Sequence, residues 1–145
     1  MVKRILFLCK HNVFRSQVAE EFFKKMYMGK HHITRSAGII PYTKKDLIGD
    51  EGFEAEKTAV RKFGIKLDKK PEGINSRKLK DTDILVVVAD DVPVEMIKKE
   101  KCFRGKLIVW KIPDLKHDDK NKEKIAEKSI KLIENKVKGF VRNLK

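Results

Sequence analysis

Cysteine is scarce in this chain of 145 residues: there are only two, Cys9 and Cys102, and they lie far apart in the sequence. This excludes a fold built on disulfides and fits a reducing compartment, so we expect a cytoplasmic protein. No cysteines and histidines are grouped at the spacing of a zinc site, since His31 and His32 form only an adjacent pair. We therefore expect neither a bound metal nor a cofactor.

Long apolar runs are also missing. No stretch reaches the roughly 18 apolar residues of a membrane-spanning helix. The apolar N-terminal stretch is too short for a signal peptide and lacks a small-residue cleavage site, so no membrane partner is expected. The sequence contains no repeat and no low-complexity linker, and 145 residues suffice for one domain with its own core. We expect a single domain over residues 1–145.

Positive charge is in excess, with 35 lysines and arginines against 21 aspartates and glutamates and a net charge of +14. Such an excess can serve nucleic-acid binding or faster encounter with anionic substrates. The lysines are spread along the chain and interleaved with acidic residues, which is the pattern of solvated surfaces. The composition therefore favours a solvated surface over a nucleic-acid interface.

One stretch carries clear chemistry: residues 9–16, with the sequence CKHNVFRS. Before it, the apolar residues Ile5 to Leu8 predict a buried strand. After it, apolar residues recur at helical spacing, namely Val18, Ala19, Phe22, Phe23 and Met26. The pattern places a cysteine at the end of a strand, a short loop after it, and an arginine and a serine at the start of a helix.

This arrangement predicts an oxyanion site. Backbone N–H groups of the loop and the first helical turn can converge on one anion, and the helix dipole adds positive potential. That potential favours a thiolate at Cys9, while the planar fork of Arg15 matches two oxygens of a tetrahedral oxyanion. Ser16 can donate a hydrogen bond to the sulfur, and a thiolate beside a bound phosphate suits catalysis through a phosphocysteine. The alternative is that Cys9 is a small buried apolar residue.

The predicted phosphate-binding residues all belong to this loop: Lys10, His11, Asn12, Val13, Phe14, Arg15 and Ser16. The spacing Cys-x5-Arg-Ser resembles the signature of the low-molecular-weight protein tyrosine phosphatases and of their relatives, the thioredoxin-coupled arsenate reductases. The run at 36–38, Ser-Ala-Gly, is similar to one that follows the first helix in that family. The resemblance implies a protein tyrosine phosphatase whose substrate is a phosphotyrosine protein or a small phosphomonoester.

The resemblance also implies a general acid. The family carries an aspartate in the loop after the fourth strand, usually followed by proline, and residues 110–114 (Trp-Lys-Ile-Pro-Asp) match that run. Asp114 is therefore the candidate catalytic acid, with Asp118 and Asp119 as substitutes. Leu115 stands in place of the usual proline, and residues 116–117 (Lys-His) replace an aromatic pair, so the aryl pocket departs from the family pattern.

Three further loop positions bear on substrate choice. The loop 39–52 borders the active site in the resembled family, and its Tyr42 either stacks on an aryl ring or covers the edge of the core. His11 stands where the family has glycine, which would be unfavourable if that position required a positive φ. Phe14 replaces a second loop cysteine, so the protective disulfide of the phosphatases is not expected.

Residues 15–17, Arg-Ser-Gln, look closer to the arsenate reductase branch, and arsenate is a possible ligand because it is a phosphate analogue. That branch resolves the arsenylated cysteine with two further cysteines after the third strand, whereas residues 88–96 contain none. Reduction with an external thiol stays open as an alternative. A non-catalytic phosphate- or nucleic-acid-binding module is the third.

The remaining pattern alternates strands with helices. Strands are predicted at 33–38, 84–88 and 106–110, and helices at 53–63, 92–99 and within 119–144, while Gly29 is expected to cap the first helix. Asp90 and Asp91 could be acid/base groups, but such pairs more often cap the next helix, and capping is favoured here. The alternation predicts an α/β fold, a single doubly wound domain with a four-stranded parallel sheet flanked by helices, in which Cys9, Asp90 and Asp114 follow carboxyl ends of strands.

Overall fold

Strands and helices alternate along the chain in the computed structural model, which describes residues 2–27 and 32–144. The elements are β1 (Arg4–Cys9), α1 (Arg15–Met26), β2 (Ile33–Gly38), α2 (Lys44–Leu47), α3 (Glu51–Arg61), α4 (Ser76–Lys80), β3 (Ile84–Val88), α5 (Val94–Lys98), β4 (Lys106–Trp110) and α6 (Lys122–Asn143). The predicted strands at 33–38, 84–88 and 106–110 are confirmed to the residue.

The four strands form one parallel sheet in the order β2-β1-β3-β4. Every residue of β3 is buried, which explains its continuous run of apolar side chains between two covered faces. The chain moves from β1 to β2 on one side and later to β3 on the other, so the connections reverse direction at β1. The carboxyl end of a strand at such a switch point is where α/β sheets bind ligands, and Cys9 occupies that end.

Alternate residues of β1 enter two separate cores. Ile5 and Phe7 pack on the side covered by α1, α3 and α6, where Ile130 and Ile133 of α6 are fully buried. Leu6 and Leu8 pack on the opposite side, together with residues of β3, α4 and α5. The sheet is therefore flanked by helices on both faces, as the sequence predicts.

The helix boundaries differ from the predicted ones where capping decides them. The Asp50 side chain accepts a hydrogen bond from the Phe53 N–H and starts α3 two residues earlier than expected. Within the predicted loop 39–52, a capping box between Thr43 and Asp46 forms the short helix α2. Gly64, with φ +70°, ends the turn after α3. The expected cap at Gly29 lies outside the described residues.

The expected capping role of Asp90 and Asp91 is wrong. Helix α5 begins only after Pro93, and that position makes no side-chain capping hydrogen bond. The Asp91 carboxylate instead accepts hydrogen bonds from the buried Arg15 guanidinium. An unpaired buried cation costs far more than a missing helix cap, so the fold uses this carboxylate at Arg15. Among the described residues, no helix combines the length and apolar character needed to cross a membrane.

Candidate active site

The loop between β1 and α1 wraps around the sulfur of Cys9. The Asn12 N–H donates to Sγ at 3.3 Å, and the Ser16 Oγ lies 3.1 Å from the same sulfur. Asn12 Nδ2 donates to the Ser16 Oγ at 2.7 Å, which leaves the hydroxyl hydrogen free to point at the sulfur. The loop thus directs two donors at the position where a thiolate would carry its charge.

The left-handed residue of this loop is Asn12, with φ +54°, and not His11. Asparagine tolerates this conformation better than most residues, so a histidine at position 11 carries no backbone penalty. Gly38, at the end of β2, lies against the same loop: a Cβ there would come within 2.8 Å of the Asn12 nitrogen. The absence of a side chain at Gly38 therefore lets the loop sit against the end of the sheet.

A buried polar network supports the loop from behind. The second amide hydrogen of Asn12 goes to the Ser36 Oγ at 3.0 Å, and the Ser36 hydroxyl donates to Glu20 at 2.7 Å. Lys69 neutralises this buried carboxylate, with its Nζ 3.3 Å from Glu20 and 3.0 Å from the Ser36 Oγ. Gln17 Nε2 adds a 2.7 Å bond to the backbone oxygen of Asn12. Fully satisfied networks of this kind fix a single geometry.

Arg15 is only 2% exposed and joins three loops at the carboxyl edge of the sheet. Its Nη2 donates to Asp91 at 3.0 Å, and its Nη1 donates to the Ile112 carbonyl at 2.9 Å. Carboxylate oxygens of Asp90 and Asp114 each lie 3.8 Å from it. Because a guanidinium has five N–H donors, these contacts orient Arg15 and still leave donors for a ligand.

A cavity of about 500 Å³ brings the predicted residues together. Its walls include the three candidate catalytic residues, Cys9, Arg15 and Asp114, together with His11, Val13, Phe14 and Tyr42. Lys10, Asn12 and Ser16 belong to the loop without lining the cavity. Of the substitutes for Asp114, Asp118 is exposed and Asp119 accepts a hydrogen bond from the Lys116 N–H, and neither borders this cavity. The geometry thus favours Asp114.

The aromatic wall of the cavity is a stacked pair. The rings of His11 and Tyr42 lie 3.9 Å apart between centroids, at an interplanar angle of 14°. His11 Nδ1 is 2.8 Å from the Ile40 carbonyl, and the Tyr42 N–H donates to the His11 carbonyl at 3.2 Å. Partial burial, followed by the nearby Asp114 carboxylate, raises the pKa of the Tyr42 hydroxyl. The Tyr42 side chain is therefore uncharged, and its ring is held in place in the cavity wall.

Sequence reasoning missed Glu56, which also lines the cavity and is only 7% exposed. Burial raises the pKa of this carboxyl well above its usual range, and the charges of Asp114 and Asp50 raise it further, while Arg15 lowers it. A signal was present: Glu56 precedes the buried Ala59 and Val60 by three and four residues, which places it on the buried face of α3.

A cysteine held in a loop that joins a parallel strand to a helix lies across one cavity from a buried arginine and an aspartate, an arrangement suited to binding an oxyanion. The family model described as "Low molecular weight phosphotyrosine protein phosphatase" matches residues 4–145, and the chain belongs to that family. None of the curated proteins matches the sequence significantly.

Solved structures of the same fold include phosphatases and arsenate reductases. The tyrosine phosphatase Wzb from Escherichia coli K30, in complex with sulphate, is 22% identical with a TM-score of 0.78, and the match covers 100% of both chains. Arsenate reductase from Archaeoglobus fulgidus is 24% identical with a TM-score of 0.67, over 96% of this chain and 99% of that one. A YwlE mutant from Bacillus subtilis is 16% identical with a TM-score of 0.75, over 97% of each chain. These likenesses establish the fold.

Proposed function

We propose that this protein is a protein tyrosine phosphatase that hydrolyses phosphomonoesters through a phosphocysteine intermediate. The observation that carries the proposal is that Cys9, Arg15 and Asp114, up to 105 positions apart in the sequence, line one cavity. In this proposal, the Cys9 thiolate attacks phosphorus and forms the S–P bond while the bond to the leaving oxygen breaks. Protonated Asp114 gives its proton to that oxygen.

The second half of the reaction reverses the role of Asp114. As a carboxylate it accepts a proton from the water that attacks the phosphocysteine, and the S–P bond breaks to return the thiolate and release phosphate. The Asn12 N–H and the Ser16 hydroxyl, which point at the sulfur, stabilise the returning charge. Arg15 and the N–H groups of the loop stabilise the negative charge on the transferring phosphoryl group.

The nucleophile assignment is tested by turnover of p-nitrophenyl phosphate in the Cys9→Ser variant. The other cysteine provides a matched control: Cys102 packs at the edge of the second core and is not part of the cavity wall. We expect Cys9→Ser to lose hydrolysis while retaining phosphate binding, and Cys102→Ser to keep both. Hydrolysis above a trace in Cys9→Ser would remove Cys9 from its role.

Arsenate reduction is the second candidate, because an arsenate reductase shares the fold and the same loop would bind arsenate. Reduction of the Cys9-bound arsenate takes two electrons from thiols, and Cys102 is the only other cysteine in the sequence. Because Cys102 is not part of the cavity wall, an external thiol would have to attack the Cys9 sulfur, forming a disulfide with it as arsenite leaves. Arsenite production with added thioredoxin or glutathione tests this candidate, and we expect it to be negligible beside ester hydrolysis.

A further inference from the structure

Glu56 is a buried carboxyl of the cavity wall that the proposed reaction does not use. It is 7% exposed, it lines the same cavity as Cys9 and Asp114, and it sits on the buried face of α3. Among the residues that the structure describes, none forms a hydrogen bond or an ion pair with its carboxyl. The carboxyl oxygens are not enclosed by protein but open to the cavity, where they can hydrogen-bond to a bound ligand.

Burial is the main cause that holds the proton on Glu56, and the charges around it add to that effect. Carboxylates approach from two elements, Asp50 at the start of α3 and Asp114 after β4, and they outweigh the single nearby guanidinium of Arg15. Burial acts in the same direction as the carboxylates, so the pKa of Glu56 is raised. Between the ordinary pKa of a glutamate and this raised pKa, Glu56 therefore keeps its proton and is a hydrogen-bond donor.

A neutral carboxyl suits this cavity and a carboxylate does not. The loop, the helix dipole and Arg15 all serve to bind a negatively charged group. A further negative charge in the wall, beside those of Asp50, Glu51 and Asp114, would add to the repulsion of that group, whereas an O–H would add a donor that the backbone does not supply. Besides the groups already named, the cavity wall contains Tyr42, His11 and His117. Its further charged side chains are Lys116 and Lys122.

We propose that the Glu56 carboxyl is a substrate-binding group that donates a hydrogen bond to the oxyanion held in this cavity, and that its ionisation weakens oxyanion binding. The inference rests on the proposed function only in requiring that the cavity binds an oxyanion. It adds a donor from α3 to those of the loop and of Arg15. It also gives the site an upper pH limit set by a group other than Cys9 and Asp114.

The test is calorimetric titration with sulfate, which stays fully ionised from about pH 5 to about pH 9. A Cys9→Ser parent removes the titration of the thiol, and Glu56→Gln and Glu56→Ala are made in that parent. Glu54→Gln is the matched control, because Glu54 is an exposed glutamate of the same helix. Circular dichroism of each variant checks that the fold is kept.

We expect sulfate to bind the parent and Glu56→Gln equally at low pH, where both side chains carry a donor. At high pH, Glu56→Gln should bind about tenfold more tightly than the parent, because only the parent gains a charge. Glu56→Ala should bind about tenfold more weakly than the parent at low pH. Glu54→Gln should follow the parent at every pH.

Each contrary result has a definite meaning. Equal pH profiles for the parent and Glu56→Gln, or unweakened low-pH binding in Glu56→Ala, would overturn the role of Glu56 and leave the oxyanion site standing. Tighter binding by Glu56→Gln at low pH as well would show an ionised Glu56, suited to a cationic group of the substrate, and would also overturn it. A parent that binds no sulfate at any pH would contradict the proposed function together with this inference.

Discussion

At the scale of single residues, Arg15 is a buried cation at the carboxyl edge of the sheet. Its side chain is buried, so its charge must be balanced inside the protein, and Asp91 supplies that balance at 3.0 Å. Its planar fork contacts Asp91 through Nη2 and the Ile112 carbonyl through Nη1. The two contacts set the plane in which the remaining N–H donors face the cavity, so orientation depends on the shape of the guanidinium as well as on its charge.

Arg15→Lys should therefore lose on the order of 10² or more in kcat/KM for p-nitrophenyl phosphate, comparable to removal of an oxyanion donor. A lysine keeps the charge but cannot hold Asp91 and Ile112 while presenting two donors to a phosphoryl group. Arg61→Lys, at an exposed position in α3, is the control and should be unchanged. Activity of Arg15→Lys within about threefold of wild type would show that Arg15 does not clamp the transition state.

Asp114 is tested by its dependence on the leaving group. Asp114→Asn should lose about 10²- to 10⁴-fold in kcat on phosphomonoesters with poor leaving groups, because these need a proton as the bond breaks. The loss should shrink for acidic phenols, and the limb of the bell-shaped pH profile that reports this acid should disappear. Asp118→Asn, at an exposed position outside the cavity wall, should change little. A large leaving-group-dependent loss in Asp118→Asn instead would move the role to that residue.

At the scale of elements, the loop of residues 9–16 is held by its neighbours as well as by hydrogen bonds within it. The segment after β2 is hydrogen-bonded to it along its length: Ile39, Ile40 and Tyr42 donate their N–H groups to carbonyls of residues 9–11. The His11 ring then stacks on Tyr42. The aromatic wall of the cavity and the oxyanion loop therefore form one rigid unit.

Tyr42→Ala should raise KM for aryl phosphates by about two- to tenfold, since an aromatic pair contributes about 0.5–1.5 kcal/mol. Its effect on kcat should be small, because Tyr42 contacts neither the sulfur nor Asp114 in the proposed reaction. Tyr42→Phe keeps the ring and should behave like wild type. An equal rise in KM for alkyl phosphates would show that Tyr42 covers the core edge and does not recognise an aryl ring.

The elements also show which parts of the fold and of the site the sequence could predict. The strands were predictable because continuous β-branched runs occur where both faces of a parallel sheet are covered, as in β3. The loop, Cys9 and Arg15 were predictable because they are adjacent in sequence. Asp91 was not, because its partner Arg15 lies 76 positions away and only the fold brings them together. Lys69, which neutralises Glu20 across 49 positions, was missed for the same reason.

At the scale of the whole molecule, Glu56 should make stability depend on pH. Its folded pKa is raised, so between the unfolded value of about 4.3 and that higher value the native state binds more protons than the unfolded state. Stability therefore falls as pH rises through this window. Glu56→Gln removes this ionisable group. Within the window, its free energy of unfolding should therefore rise relative to that of wild type by up to about 1.4 kcal/mol per pH unit.

Urea unfolding of both proteins over a series of pH values measures this difference. Glu54→Gln, on the exposed face of α3, should follow wild type at every pH. A constant difference between Glu56→Gln and wild type would show that Glu56 ionises normally in the folded protein.

The central claim is that the Cys9 sulfur carries the phosphoryl group during turnover. It is tested most directly by quenching the wild-type protein during hydrolysis of p-nitrophenyl phosphate and locating the added phosphoryl group by mass spectrometry of its peptides. Our account predicts one phosphoryl group on the peptide that contains Cys9, and none in Cys9→Ser. Asp114→Asn should accumulate more of this species, because the water that resolves it then lacks its base. Phosphate release without a phosphorylated Cys9 peptide in Asp114→Asn, or a phosphoryl group on another residue, would contradict the account.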